Sequence, residues 1–260
     1  MPTFHAADGA ELTYTDLGPH GTIPLVFLHG WQADSGTWAI VMERLASRHR
    51  TIAIDLRGFG QSNAAPGPYR VENFSDDLSA LVAALDLDPL VAIGHSMGAA
   101  VAQRFAIDRP DAVEGLVLVA PVPASGVEFS PKVVAMLRGI AGNAANANAW
   151  LAQLTYREPP LEIITLMRRA AAAVPVPVAL ESFDSWRTLD FADDAATIET
   201  PTLVLAPEHD NPMTPAFAKA NVADVIAGSV FEIVRDSGHY APLERPDVIA
   251  ASIERFVDAL

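Results

Sequence analysis

The sequence predicts a doubly wound α/β fold, a mostly parallel sheet covered by helices on both faces, with a helical insertion before the last strands. Three observations carry this expectation. Short apolar runs alternate with amphipathic stretches, the runs are apolar throughout rather than at every second residue, and the alternation stops between Val122 and Thr197. A strand, helix, strand rhythm implies a parallel sheet. Strands buried on both faces of such a sheet read as continuous runs rich in Val and Ile.

The chain opens on Thr3 to Thr15, where an Asp8-Gly9 turn separates two β-prone segments, the pattern of an antiparallel hairpin at a sheet edge. Strands are expected at Ile23 to Leu28, Thr51 to Ile54, Leu90 to Ile93 and Leu116 to Val119, then at Thr202 to Leu205 and Val230 to Val234. Each run is too short for a helix. Phe74, Leu78, Leu81, Val82 and Leu85 recur at helical spacing and form one apolar stripe. Ala99 to Ile107 reads as a second helix, stopped by Pro110. Pro246 suits the first turn of a last helix whose buried face is Val248, Ile249, Ile253, Phe256 and Val257.

The insertion holds no strand-like run. It contains Val133 to Ile140, an Ala/Asn-rich stretch (GNAANANAW), Leu161 to Ala173 at helical spacing, and the prolines of VPVP. Trp150, Tyr156, Phe183 and Trp186 make it too apolar for a linker. The expected division is an α/β core in two parts, residues 1–121 and 198–260, with a helical cap over residues 122–197 at the carboxyl edge of the sheet.

Composition narrows the function classes. Of 260 residues 50% are hydrophobic, enough to bury a large core, which excludes intrinsic disorder. Lys and Arg number 17 against 32 Asp and Glu, a formal charge of −15, and no basic run offsets it. That field repels phosphate backbones and anionic lipid, so neither nucleic acid nor membrane is an expected partner. Cys is absent, which removes disulfides, thiolate metal sites and a cysteine nucleophile. The first ten residues carry neither a basic nor an apolar signal segment, and no run approaches the ~18–20 apolar residues that span a bilayer. A cytoplasmic protein is expected.

The chemistry centres on Gly94-His95-Ser96-Met97-Gly98, directly after the LVAI run and directly before the Ala99 helix. This is a G-x-S-x-G elbow in the strand-to-helix context it requires. The sharp turn forces Ser96 into a strained conformation, and Gly94 and Gly98 keep side chains out of the crowded bend. Amides at the helix start then lie beside any negative charge that develops near the hydroxyl. A serine needs a base to accept its proton. Of seven histidines, His5, His20 and His49 lie in polar segments and read as surface residues. His95 points sideways from Ser96, and His29, just before Gly30, reads as a structural hydrogen-bonder. His239 stands in the loop between the last strand and the last helix, on the same carboxyl edge as Ser96, and is the expected base.

The base needs a carboxylate to fix its tautomer. Asp210, just past the Thr202 strand, is the candidate, with Glu208 and Asp236 as rival acids. An oxyanion hole needs two backbone donors, and the N–H groups of Met97 and Trp31 are the candidates, the latter in the loop after the VFLHG strand.

His29-Gly30-Trp31, Asp55-Leu56-Arg57-Gly58-Phe59-Gly60-Gln61-Ser62, Gly94 to Gly98, Glu208-His209-Asp210 and Gly238-His239, in this order, resemble the α/β-hydrolase superfamily, in its branch of lidded serine hydrolases. The resemblance spans all of the chain but the insertion. It implies the α/β-hydrolase fold, the triad Ser96, Asp210 and His239, an oxyanion hole at Trp31 and Met97, and a helical cap. The Asp55 to Ser62 segment resembles a structural turn of these proteins, and its glycines are too few for a dinucleotide fingerprint. The HGW, DLRGFGQS and GHSMG segments look closest to esterases and to non-haem haloperoxidase-like perhydrolases, although Ala99 stands where the latter often carry a second glycine. Serine at position 96 also sets the chain apart from relatives that dehalogenate or open epoxides with a carboxylate nucleophile.

The expected reaction is hydrolysis of a carboxylic ester or lactone of a small, fairly apolar substrate through an acyl-enzyme on Ser96. The same triad also serves C–C, amide and perhydrolysis reactions, and a non-catalytic receptor on the same fold is the alternative of another class. No cofactor is implied, and without an H-E-x-x-H spacing no metal site. Trp31, Phe59, Met97, Tyr156, Leu166, Phe183, Trp186 and Tyr240 are the candidates to line a pocket between core and cap.

Overall fold

A computed structural model describes residues 1–211 and 213–260. Every expected strand forms. The hairpin is β1 (Thr3–His5) and β2 (Glu11–Leu17), followed by β3 (Leu25–Leu28), β4 (Thr51–Ile54), β5 (Leu90–His95) and β6 (Val113–Val119). β7 (Thr202–Pro207) and β8 (Val230–Val234) complete the sheet. The expected strand at Ile23 starts two residues later, because Pro24 has no N–H to give a ladder. β6 starts earlier than its apolar run, since only Glu114 among the added residues faces solvent.

Eight strands lie in the order β1-β2-β4-β3-β5-β6-β7-β8. β1 and β2 are antiparallel and β2 is antiparallel to β4, while all pairs from β4 to β8 are parallel. Alternation along each parallel strand feeds two cores. Leu25, Phe27, Val91 and Ile93 face one cluster, and Val26, Leu28, Leu90 and Ala92 face the other. This two-sided burial is why the runs are apolar at every position.

The helices are α1 (Ala39–Leu45), α2 (Val71–Leu85), α3 (Met97–Asp108), α4 (Pro131–Arg138), α5 (Ala144–Leu154) and α6 (Leu161–Ala173). They continue with α7 (Val176–Arg187), α8 (Ala192–Ala195), α9 (Pro215–Ala218), α10 (Ala241–Glu244) and α11 (Pro246–Val257). Ile249 and Ile253 of α11 pack with Val41 and Leu45 of α1 under one face of the sheet. α1 carries no marked stripe in the sequence and forms by packing against the sheet and α11. The VPVP prolines open α7, with Pro175 as the cap and Pro177 in the first turn, where a missing N–H costs nothing. Leu137, Leu151, Leu154, Phe183 and Trp186 of α4, α5 and α7 belong to the same apolar cluster as Val26 and Leu28 of the sheet. Among the described residues no single helix is long and apolar enough to cross a membrane.

His49 departs from its expected surface position. Flanked by Arg48 and Arg50, it is nevertheless buried, because the turn after α1 folds it inward, with its N–H donating to Leu45 O at 3.0 Å.

Arg57 organises the edge of the fold. Its guanidinium donates to both oxygens of buried Asp77 on α2, at 2.9 and 2.6 Å, to Asp8 in the hairpin turn at 2.5 Å, and to Pro66 O at 2.8 Å. The hydrogen bonds to Asp77 hold Arg57 above its ordinary pKa. Removing one partner of such a pair strands a buried charge. Asp77→Ala is expected to lower stability by about 3–5 kcal/mol, read from urea unfolding at pH 7. A loss below 1 kcal/mol by that standard would show that Asp8 alone satisfies the guanidinium.

Candidate active site

The site begins at the crossing of β5 into α3. Ser96 sits at φ 54°, ψ −117°, a conformation that costs a non-glycine residue about 1–3 kcal/mol. Backbone bonds on both sides impose it. Ser96 N–H donates to Val119 O at 3.0 Å, and Ser96 O accepts from Ala99 N–H at 3.0 Å and Val122 N–H at 3.2 Å. A Cβ on Gly94 would lie 2.3 Å from Gly98 O, and one on Gly98 would lie 2.4 Å from Leu28 O. The two glycines are therefore required by close approach.

The loops after β7 and β8 end on the same edge. His239 Nδ1 donates to Asp210 Oδ2 at 2.7 Å, and its Nε2 accepts from Ser96 Oγ at 2.9 Å. The carboxylate can only accept, so the proton of the neutral ring sits on Nδ1 and the free lone pair faces the serine. The second oxygen of Asp210 accepts from Met213 N–H at 3.1 Å. Serine, histidine and aspartate are all buried. The rival acids are occupied elsewhere. Glu208 accepts from the Asp236 N–H at 3.1 Å, and Asp236 pairs with Arg157 at 3.5 Å.

Two further histidines frame this arrangement without entering it. His95 Nε2 donates to the backbone oxygen of His239 at 2.8 Å. Burial, reinforced by the nearby His239, pushes its pKa down to about 3, so it stays a neutral donor. His29 donates from Nδ1 to Gly30 O at 2.8 Å and accepts from Leu56 N–H at Nε2, 3.1 Å. It is a structural bridge.

Met97 N–H opens α3, where first-turn amides have no helical acceptor. Trp31 follows Gly30 just past β3. Among the described residues neither amide donates to a protein acceptor. The Trp31 indole N–H is used, donating to Ala179 O of α7 at 3.0 Å.

A narrow cavity of about 40 Å³ adjoins Ser96 and His239. Trp31, Trp186 and Tyr240 line it, as the sequence suggests. Phe129, Leu137, Trp150, Leu154 and Met213 also line it and were not among the candidates. Trp150 and Leu154 lie four residues apart on α5, and that spacing was their one signal. Five candidates do not line the cavity. Phe59 packs beneath His29 and Phe74, and Phe183 lies fully buried behind Trp31 and Trp186. Leu166 packs towards Gly36. Tyr156 is exposed and stacks on His209, centroids 3.9 Å apart. The Met97 side chain is buried in the core, so only its amide bears on the site. A wider cleft of about 1100 Å³ lies by Arg70, Arg104 and Asp184, but its mixed-charge walls do not include Ser96.

A family model described as alpha/beta hydrolase family matches residues 25–252. A non-heme chloroperoxidase of Streptomyces lividans is 27% identical over 99% of both chains. Among solved structures, a thermophilic esterase from Thermogutta terrifontis is 28% identical with a TM-score of 0.86, covering 99% of this chain and 98% of that one. An enol-lactonase from Burkholderia xenovorans is 26% identical with a TM-score of 0.89, covering 99% and 100%.

The depressed pKa of His95 makes stability pH-dependent. The unfolded chain binds a proton at this residue below the ordinary histidine value, and the folded chain does not until about pH 3. The contribution is complete above about pH 6.5 and is lost as pH falls towards 3, by about 1.4 kcal/mol per unit. Urea unfolding at pH 7 and pH 5 is expected to show a slope of that sign, to which buried His29 and His49 also contribute, and His95→Gln to reduce it. An unchanged slope in the variant would mean that His95 takes up its proton while folded.

Proposed function

The chain belongs to the alpha/beta hydrolase family, and on that premise we propose that it hydrolyses a carboxylic ester or lactone of a small, fairly apolar substrate through an acyl-enzyme on Ser96. The observation that carries the proposal is the continuous relay of two hydrogen bonds, 2.9 Å from Ser96 Oγ to His239 Nε2 and 2.7 Å from His239 Nδ1 to Asp210.

In this reading Ser96 Oγ attacks the carbonyl carbon while His239 Nε2 takes its proton, and buried Asp210 stabilises the resulting imidazolium. The amides of Trp31 and Met97 donate to the tetrahedral oxyanion, each donor contributing about 10²–10³ in rate. Collapse expels the alcohol with the proton from His239. A water, deprotonated by the same nitrogen, then attacks the acyl-enzyme and releases the acid and Ser96.

The substrate class follows from the walls. Apart from the histidines, the described residues that line the cavity offer aromatic and aliphatic side chains, the Met213 thioether and Ser96, and among them no carboxylate, guanidinium or ammonium group. A charged acyl group would lose its hydration there without a partner. The likeness to an esterase and to an enol-lactonase supports esters and lactones over other acyl bonds. The narrowness of the cavity favours short acyl chains, with a cap over residues 122–197 closing on a core of 1–121 and 198–260.

A p-nitrophenyl ester series from acetate to octanoate tests this, with turnover expected to peak at the short end. Ser96→Ala should lower kcat by at least ~10⁴, and Asp210→Asn by about 10⁴ through loss of the correct tautomer. A fluorophosphonate should add once, at Ser96, by intact mass. Retained turnover in Ser96→Ala, or no adduct in the wild type, would sink the activated serine.

A further inference from the structure

The bonds that place His239 come from two distant parts of the chain. Its backbone oxygen accepts from His95, while its N–H donates to Leu154 O, the last residue of α5, at 2.7 Å. One residue earlier, Gly238 N–H donates to Glu244 Oε1 at 3.0 Å. The other oxygen of that carboxylate accepts from Tyr156 N–H at 2.8 Å. One carboxylate at the end of α10 thus spans the loop that carries His239 and the segment between α5 and α6.

The approach is close. A Cβ on Gly238 would lie 2.5 Å from Leu154 O and 2.6 Å from Tyr156 N, so this backbone admits the segment only because residue 238 is glycine. The Tyr156 ring stacks on His209, next to Asp210, at 3.9 Å and 6°. Residues 154–156 therefore touch the loops of both the acid and the base. Leu154 has a double position, since its side chain lines the cavity and its carbonyl holds the His239 amide. Burial pushes the Glu244 carboxyl up, and the bonds from Tyr156 and Gly238 pull it back towards the ionised form.

We propose that Glu244 is a positioning residue for His239: its carboxylate clamps the segment Leu154–Tyr156 to the histidine loop, so that seating of the α5–α6 region and alignment of His239 on Ser96 are one event. The proposal rests on the reading of Ser96, His239 and Asp210 as a catalytic relay. It follows that a group bound against Leu154 bears directly on the bond that orients the base. Disturbing the clamp then acts on the chemical step more than on binding.

Glu244→Gln keeps the shape but turns one of the two acceptors into a donor facing an N–H. Glu244→Asp keeps the charge but is one methylene too short to reach both amides. Both are expected to lower kcat for the preferred p-nitrophenyl ester at least tenfold with KM within twofold, while far-ultraviolet circular dichroism stays that of the wild type. The imidazole ¹⁵N shifts of His239, assigned with His239→Gln, supply a reading that needs no substrate. A fixed tautomer separates the two signals, and loss of the clamp is expected to draw them together in Glu244→Gln. A kcat within twofold of wild type, or unchanged ¹⁵N shifts, would overturn the proposal. So would a loss of activity that only tracks loss of folded protein. If the wild type hydrolyses no ester, the functional reading fails, and the ¹⁵N comparison still decides the clamp.

Discussion

A serine at φ 54°, ψ −117° has no stability of its own. Ser96 holds that conformation because β5 is fixed between β3 and β6 in parallel register and α3 turns back at once against the end of β3. Gly98 meets the Leu28 carbonyl there with no room for a Cβ. The strain is carried by the sheet, and its consequence is geometric. The hydroxyl stands at the carboxyl edge of the central strand, where the parallel neighbours β7 and β8 also end and deliver Asp210 and His239. Were the sheet antiparallel there, those loops would open on opposite edges.

Electrostatics inside the site contrast with the charge of the whole. The chain carries a formal −15, yet among the described residues the one carboxylate bonded to the relay around Ser96 is Asp210, buried and matched to one histidine. His95, packed against His239, stays neutral because burial outweighs any stabilisation of its cation. In the proposed reaction a second cation there would oppose the imidazolium formed at His239. In a low-dielectric setting these fixed dipoles and charges act more strongly than they would in water.

The helices between β6 and β7 are bound to the site rather than laid over it. They share an apolar cluster with the sheet, and their polar bonds include two to residues that line the cavity beside Ser96. Ala179 takes the indole N–H of Trp31, and Leu154 takes the amide of His239.

What was legible in the sequence is what local spacing dictates. Two-sided burial writes parallel strands as unbroken apolar runs, and the elbow needs glycines at fixed offsets from Ser96, so both could be read directly. Asp210 and His239 could be read because each stands in a short loop after a legible strand. The tertiary structure decided the rest. α1 carries too weak a stripe to announce itself, His49 is buried by a turn that its charged neighbours conceal, and the Asn-rich stretch hides the face of α5 that brings Trp150 and Leu154 to the cavity. Phe183 and Phe59 are as apolar as any lining residue but stand one layer behind it. The bond between Tyr156 and Glu244 has no local signature, since the two lie 88 residues apart in the chain. Periodicity tells which side chains leave water, and only the packing of distant segments tells which of them meet a substrate, because the chain's local geometry contains no information about what is folded against it.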